Sequence, residues 1–128
     1  MKYSSTRGGE EDLNLTFLEA IMRGLALDAG LFVPNTIPTV STKDLNEWAT
    51  CKEYYQVAYR VMRLFISEDE IPNDDLLQMV KDVYAPGKFR DPKVAPTTCL
   101  KGAMNNDKDL YLLELFHGPT FAFKDVAL

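Results

Sequence analysis

The sequence predicts an α+β protein, with a mainly helical N-terminal domain holding a small sheet and then the opening of an α/β domain. Three observations support this. Apolar residues recur at helical spacing in several segments of the first two thirds. Residues 85–96 contain three prolines and no periodicity, which is typical of a linker. Two strand-like segments and the start of a helix follow it. We therefore place one domain at residues 1–95 and the incomplete second one at residues 96–128.

The first elements are predicted from caps and turns. Residues 2–7 are short and polar enough for an edge strand. Thr16 and Glu19 have the spacing of a capping box, so they predict a helix start. Apolar residues continue at helical spacing after it, and Gly30 is a natural helix stop. A short apolar strand is predicted at residues 31–33, because a proline follows it.

Three more helices are predicted in the same domain. The first covers residues 44–49. The second begins with a capping box between Thr50 and Glu53, runs to about Ile66 and is apolar over most of its surface, so it should lie centrally. The third covers residues 73–84, with acidic residues in its first turn. The residues of this last helix expected to face inward are Leu76, Leu77, Val80 and Val83. The core as a whole is expected to include Tyr55, Ala58, Met62, Phe65, Leu77 and Val80.

The second domain should begin with two strands, at residues 97–101 and 110–116, around a polar turn at residues 104–107. The second strand is apolar on both faces apart from Glu114, a pattern typical of an interior strand in a covered sheet. A helix start comes almost directly after it. An interior strand followed by a short helix opens an α/β unit, so we expect the sequence to continue beyond Leu128.

Composition limits the function classes. The chain has 128 residues, 46% of them hydrophobic and 26% charged, and a net charge of −5. No stripe of basic residues predicts a nucleic-acid partner, although one local site can still bind phosphate. No segment is long and apolar enough to cross a membrane, and no signal peptide is visible, so we expect a cytoplasmic protein. Two distant cysteines and one histidine argue against a metal site and for free thiols.

Lys124 is the residue whose surroundings are most informative. Thr120 can cap a helix that begins at Phe121, which puts Lys124 in the first turn, between Phe123 and Asp125. The positive end of a helix and aromatic packing both favour the uncharged amine. An uncharged amine is what imine formation with an aldehyde requires. The alternative is a surface lysine beside a pair of core aromatic rings.

Its polar neighbours each allow two interpretations. His117 could act as an acid or base, or simply bond within a turn. Glu114 could pair with a cation or face a cleft, or lie at a sheet edge. Thr120 is a helix cap first and a ligand contact second. Asp125 could simply complement the positive end of the helix dipole.

Residues 117–125, HGPTFAFKD, closely resemble the signature of the threonine synthases of fungi and many bacteria. Residues 3–8 resemble the family's YxSTRG start, and residues 24–34 resemble its GLAxDGGLFxP segment. Residues 71–72 open a helix as in the family. Ala29 departs from the pattern, because the family usually has glycine there. A positive φ at Ala29 would cost about 1 kcal/mol, so we expect local adjustment or a permissive angle.

The resemblance implies a pyridoxal-phosphate enzyme of fold type II that converts O-phosphohomoserine and water to threonine and phosphate. It assigns Lys124 as the catalytic residue that holds the cofactor as an imine and then moves protons. Phe123 and Asp125 would lie at the cofactor. His117 and Thr120 would lie near the substrate or support the site. A small N-terminal domain precedes the cofactor domain in this family.

The resemblance also leaves questions open. The groups that bind the cofactor phosphate and the substrate phosphate are absent from these residues, so the segment alone should be inactive. We expect a small-molecule substrate and a monomer or weak homo-oligomer, with no nucleic acid, membrane or metal partner. Two alternatives remain: a threonine-synthase-like phospho-lyase with another product, and a truncated interaction module without catalysis.

Overall fold

The computed structural model describes residues 1–104 and 107–127. Within these residues, five α-helices and two two-stranded antiparallel sheets make the predicted α+β fold. Two compact units are present. The first consists of Met1–Lys52 and Gln56–Met79, and the second of Glu53–Tyr55 and the residues from Val80 onward. The domain boundary at residue 95 stays a prediction.

The first sheet confirms both N-terminal strands. β1 (Tyr3–Ser5) pairs antiparallel with β2 (Phe32–Pro34), with Tyr3 opposite Pro34. Nearby, the carboxylate of Asp12 is 1% exposed and pairs with the guanidinium of Arg23. Its second oxygen accepts the backbone N–H of Leu27 at 2.6 Å. A buried carboxylate satisfied in this way links the chain before and after the first helix.

A second carboxylate ties the sheet to the following turn. The Asp28 carboxylate accepts the Ser5 hydroxyl at 2.7 Å, the Gly30 N–H at 2.8 Å and the Gly9 N–H at 3.0 Å. The Ser5 hydrogen bond, the Gly30 and Gly9 amides and the nearby Arg7 charge lower the pKa of Asp28. A Cβ at Gly30 would collide with the Ser5 hydroxyl. This explains glycine at that position by close packing.

The first helix, α1 (Phe17–Arg23), starts with the predicted capping box. The Glu19 N–H donates to the Thr16 hydroxyl at 3.2 Å, and the Thr16 N–H donates to the Glu19 carboxylate at 2.7 Å. The predicted stop at Gly30 is wrong, because the helix already ends at Gly24, which has φ 74°. Glycine takes this conformation without a steric penalty, so it ends the helix first.

The second helix, α2 (Thr42–Trp48), confirms the short helix predicted at residues 44–49. It has a capping box that the sequence analysis missed. The Asp44 N–H donates to the Ser41 hydroxyl at 3.1 Å, and the Ser41 hydroxyl donates to the Asp44 carboxylate at 2.5 Å. Aspartate replaces the more common glutamate or glutamine at the third helical position, which hid the motif.

The third helix, α3 (Tyr54–Arg63), begins later than predicted. The capping box between Thr50 and Glu53 is wrong, because the Thr50 hydroxyl donates back to the Glu47 carbonyl at 2.7 Å. Thr50 therefore closes the end of α2 and is not available to start α3. Most residues of α3 are half-buried, and Ile66, just beyond it, is 2% exposed.

The fourth helix, α4 (Asn73–Val83), confirms the prediction for residues 73–84. Leu76 and Val80 are buried, whereas Val83 is 53% exposed, so its predicted inward position is wrong. Val83 lies at the end of the helix and borders an open groove. Of the six predicted core residues, Val80 is fully buried. The other five are half-buried: Tyr55, Ala58, Met62, Phe65 and Leu77.

The second sheet pairs β3 (Thr97–Met104) with β4 (Lys108–Leu113) in antiparallel register. Both strands are confirmed with shifted ends, since β3 runs beyond residue 101 and β4 stops before residue 116. The predicted turn includes Asn105 and Asn106, which lie outside the described residues.

The face of this hairpin is open. Within the described part of the chain, β3 is the one strand that pairs with β4. Tyr111 is 64% exposed and Leu113 is 60% exposed. The described residues therefore leave this strand uncovered, although its composition is that of a covered strand.

Candidate functional site

The candidate site runs from the end of β4 into the first turn of the last helix, and we call its residues 114–125 the lysine loop. The last helix, α5 (Lys124–Ala127), begins three residues later than predicted. Phe121 has φ 62°, a left-handed conformation that cannot belong to a right-handed helix. Thr120 is therefore not the cap of a helix starting at Phe121. Lys124 does lie in the first turn of α5, as predicted.

Thr120 instead bonds to the residue that follows the lysine. The Asp125 carboxylate accepts the Thr120 N–H at 2.8 Å and the Thr120 hydroxyl at 2.6 Å. Gly118 is buried, and a Cβ there would collide with the Asp125 side chain. Asp125 thus holds the Gly118–Thr120 turn against the start of α5.

A second set of bonds fixes the other end of the lysine loop. The Nε2 atom of His117 lies 2.7 Å from a carboxylate oxygen of Glu114. The Thr98 hydroxyl, on β3, donates to the other oxygen of Glu114. The Thr98 hydrogen bond, and after it that of His117, lower the pKa of Glu114. Glu114 thus bonds to the Thr98 hydroxyl and the His117 ring, and its pairing with a cation stays a prediction.

Arg90 also contacts this loop, and sequence reasoning missed it. Its backbone N–H donates to the His117 carbonyl at 2.8 Å. Its guanidinium carbon lies 4.0 Å from the centre of the Phe121 ring, a cation–π contact. Arg90 stands in the proline-containing segment without periodicity, so no sequence pattern indicated this role.

The Lys124 side chain is exposed. Among the residues that the structure describes, no hydrogen bond or ion pair engages its amine. Phe121 is 53% exposed and Phe123 is 63% exposed, so the aromatic shielding of the lysine stays a prediction for the natural-length protein. An accessible primary amine on a loop held by hydrogen bonds has the chemistry needed to hold an aldehyde cofactor.

A groove of about 430 Å³ lies beside the turn. Its size is within the range of small-molecule sites. Its lining residues are Val83, Gly87, Lys88, Phe89, Pro119 and Asp125. Residues 1–104 and 107–127 contain no cluster of three potential metal ligands and no helix long and apolar enough to span a membrane.

Comparison with known proteins identifies the family of this chain. The family model for the threonine synthase N terminus matches residues 2–84, which is more than half of the chain. The chain belongs to the threonine synthase family. It is 44% identical over 128 residues to the threonine synthase of Schizosaccharomyces pombe. That match covers 100% of this chain and 23% of the relative, so the chain spans about a quarter of the curated threonine synthases it matches.

Solved threonine synthases share the fold. The crystal structure of the yeast enzyme superposes with a TM-score of 0.81 and 42% identity, over 98% of this chain and 24% of that one. A pyridoxal-phosphate-bound threonine synthase from Brucella melitensis gives a TM-score of 0.78 and 41% identity, over 99% of this chain and 25% of that one. The family resemblance read from the sequence is therefore confirmed.

Proposed function

We propose that this chain contributes the cofactor-binding lysine of a threonine synthase. The reaction is the conversion of O-phosphohomoserine and water to threonine and phosphate. The observation that carries the proposal is the exposed Lys124 amine at the start of α5, on a loop held by hydrogen bonds at both ends. The relatives named threonine synthase, one of them bound to pyridoxal phosphate, support the product and the cofactor, and the substrate is the one that the sequence resemblance implies.

Lys124 would hold pyridoxal phosphate covalently through its Nζ atom. When bound, the cofactor supplies an electron sink for negative charge that develops on substrate carbons. Lys124, once released by the substrate amine, would take and return protons at those carbons. The exposed Phe123 ring would offer an apolar surface beside the bound ring. These roles use groups that are free to meet a ligand.

The remaining polar residues of the loop would support the lysine. His117 already bonds to Glu114, and Thr120 to Asp125. We assign residues 1–95 to the N-terminal domain and residues 96–128 to the start of the cofactor domain. The groups that bind both phosphates would come from the rest of the protein. We propose a monomer or weak homo-oligomer in the cytoplasm, acting on a small molecule.

The test is product analysis with the protein at its natural length. Wild-type protein incubated with O-phosphohomoserine should release equal amounts of threonine and inorganic phosphate, measured by chromatography and a phosphate assay. Lys124→Ala should lower turnover by roughly 10³-fold or more, because it removes the covalent attachment and the proton-transfer group together. Lys43→Ala, which removes an exposed amine on α2, should keep turnover.

Two outcomes would overturn the proposal. One is normal threonine formation by Lys124→Ala. The other is wild-type protein that leaves O-phosphohomoserine unchanged. Phosphate release with a product other than threonine would instead establish the threonine-synthase-like phospho-lyase.

A further inference from the structure

The turn before Lys124 is closed by the residue after it. We name the pair of hydrogen bonds between Thr120 and Asp125 the clasp. We propose that Asp125 is a positioning residue, which uses the clasp to fix where Lys124 presents its amine. This inference rests on the proposed function, since the amine must meet a cofactor for its position to matter.

Both oxygens of Asp125 are engaged inside the chain. One accepts the Thr120 N–H at 2.8 Å and the other accepts the Thr120 hydroxyl at 2.6 Å. Bonds to an ionised carboxylate are among the stronger hydrogen bonds in proteins. The buried Gly118 packs against the same side chain with no space for a Cβ. These contacts direct Asp125 toward the turn, so its role differs from a direct contact with the cofactor.

The backbone around Lys124 depends on this closure. Lys124 is the first residue of α5, so the conformation of the turn before it sets where the helix begins. Phe121, just before it, holds a left-handed φ of 62°. Such a conformation persists only when surrounding contacts over-determine it. The clasp spans both Phe121 and Lys124, and it therefore restrains the segment that aims the amine.

Loss of the clasp should move the amine without removing it. A displacement of about 1 Å from productive geometry can lower a rate roughly 100-fold. We expect Asp125→Ala to lower kcat by roughly 10- to 100-fold and to speed dissociation of the cofactor. KM for O-phosphohomoserine should stay near that of wild type, because the proposed function places the groups that bind the substrate phosphate in the rest of the protein.

Asp125→Asn separates positioning from charge. The amide oxygen can accept the Thr120 N–H, while the amide nitrogen donates to the Thr120 hydroxyl oxygen. The clasp is kept and the negative charge is lost. We expect Asn at this position to restore cofactor retention to within about threefold of wild type.

The experiment measures cofactor dissociation from the natural-length protein. Loss of the lysine-bound cofactor's absorbance is followed after dilution into an excess of an apoenzyme trap. Asp44→Ala is the matched control, since the Asp44 carboxylate on α2 also accepts the N–H and the hydroxyl of a single residue, Ser41, there through one oxygen. Asp44→Ala should lower the melting temperature and leave cofactor dissociation unchanged.

The outcomes are distinct. Faster dissociation from Asp125→Ala, with recovery in Asp125→Asn, supports positioning. The proposal is overturned if Asp125→Ala releases the cofactor at the wild-type rate, or if Asp125→Asn releases it as fast as Asp125→Ala does. If Asp125→Ala does not fold, Thr120→Val provides the test. This variant loses only the hydroxyl hydrogen bond to Asp125, so it should release the cofactor faster than Thr120→Ser does. Retention of cofactor absorbance by Lys124→Ala would instead refute the proposed function.

Discussion

Ala29 is a residue at which the sequence and the backbone geometry disagree. It has φ 61°, in the left-handed region where glycine is favoured, and its side chain is exposed. Its N–H donates to the Ala26 carbonyl at 2.9 Å, and the Ala26 N–H donates to the Gly30 carbonyl at 3.1 Å. The turn therefore holds Ala29 at a positive φ, and the local adjustment expected from the sequence is not found.

The magnitude of the resulting strain follows from this geometry. A left-handed conformation costs an alanine about 1–2 kcal/mol. Glycine at the same position avoids this cost, but it lowers stability by about 0.4–1 kcal/mol because its unfolded chain has greater conformational entropy. The exposed methyl group contributes little by burial. Ala29→Gly should therefore raise the free energy of unfolding by about 0.5–1 kcal/mol and the melting temperature by roughly 2–5 °C.

Thermal and urea unfolding of wild type and Ala29→Gly test this directly. Ala49→Gly is the matched control, because Ala49 is also exposed but has φ −63°. The same substitution there should lower the free energy of unfolding by about 0.4–1 kcal/mol. Opposite signs at the two positions would confirm that φ decides the effect. A lower melting temperature for Ala29→Gly would refute the reasoning.

Three further predictions follow from the same contacts. The lowered pKa of Asp28, below its usual 3.8, means that its carboxylate stabilises the fold above that pH and loses the effect as pH falls through the folded pKa. Urea midpoints should therefore separate wild type from Asp28→Asn at pH 7, and the gap should shrink as pH falls below 3.8; a constant gap would contradict this. Gly30→Ala should cost about 1–3 kcal/mol by its collision with Ser5, measured by urea unfolding, and an unchanged midpoint would contradict the packing. Gly118→Ala should displace Asp125 and speed cofactor dissociation as Asp125→Ala does, whereas unchanged dissociation would show that the turn tolerates a side chain.

Local signals predicted the elements that depend on local interactions. The capping box of Thr16 and Glu19 and the period of α4 need only neighbouring residues, and both were found where expected. The end of α1 was misplaced because either of two glycines could stop it. Gly24 stops the helix by its conformation, while Gly30 is required for close packing against Ser5. Sequence alone does not separate these two uses of glycine.

The lysine loop shows the same limit. The pattern of residues 117–125 indicated Lys124 at a helix start, and the structure has it there. The later start of α5 depends on the left-handed Phe121, and no short-range rule predicts that conformation for an aromatic residue. The contact of Arg90 with the loop joins positions distant in sequence. Such contacts follow from tertiary structure and not from spacing.

The most direct test of the central claim is to locate the lysine that holds the cofactor. The natural-length protein is loaded with pyridoxal phosphate, reduced with borohydride and digested, and the labelled peptide is identified by mass spectrometry. We predict a pyridoxyl group on Lys124 in wild type and in Lys43→Ala, and its loss in Lys124→Ala. A pyridoxyl group on any other lysine of the wild-type protein would contradict the assignment of Lys124.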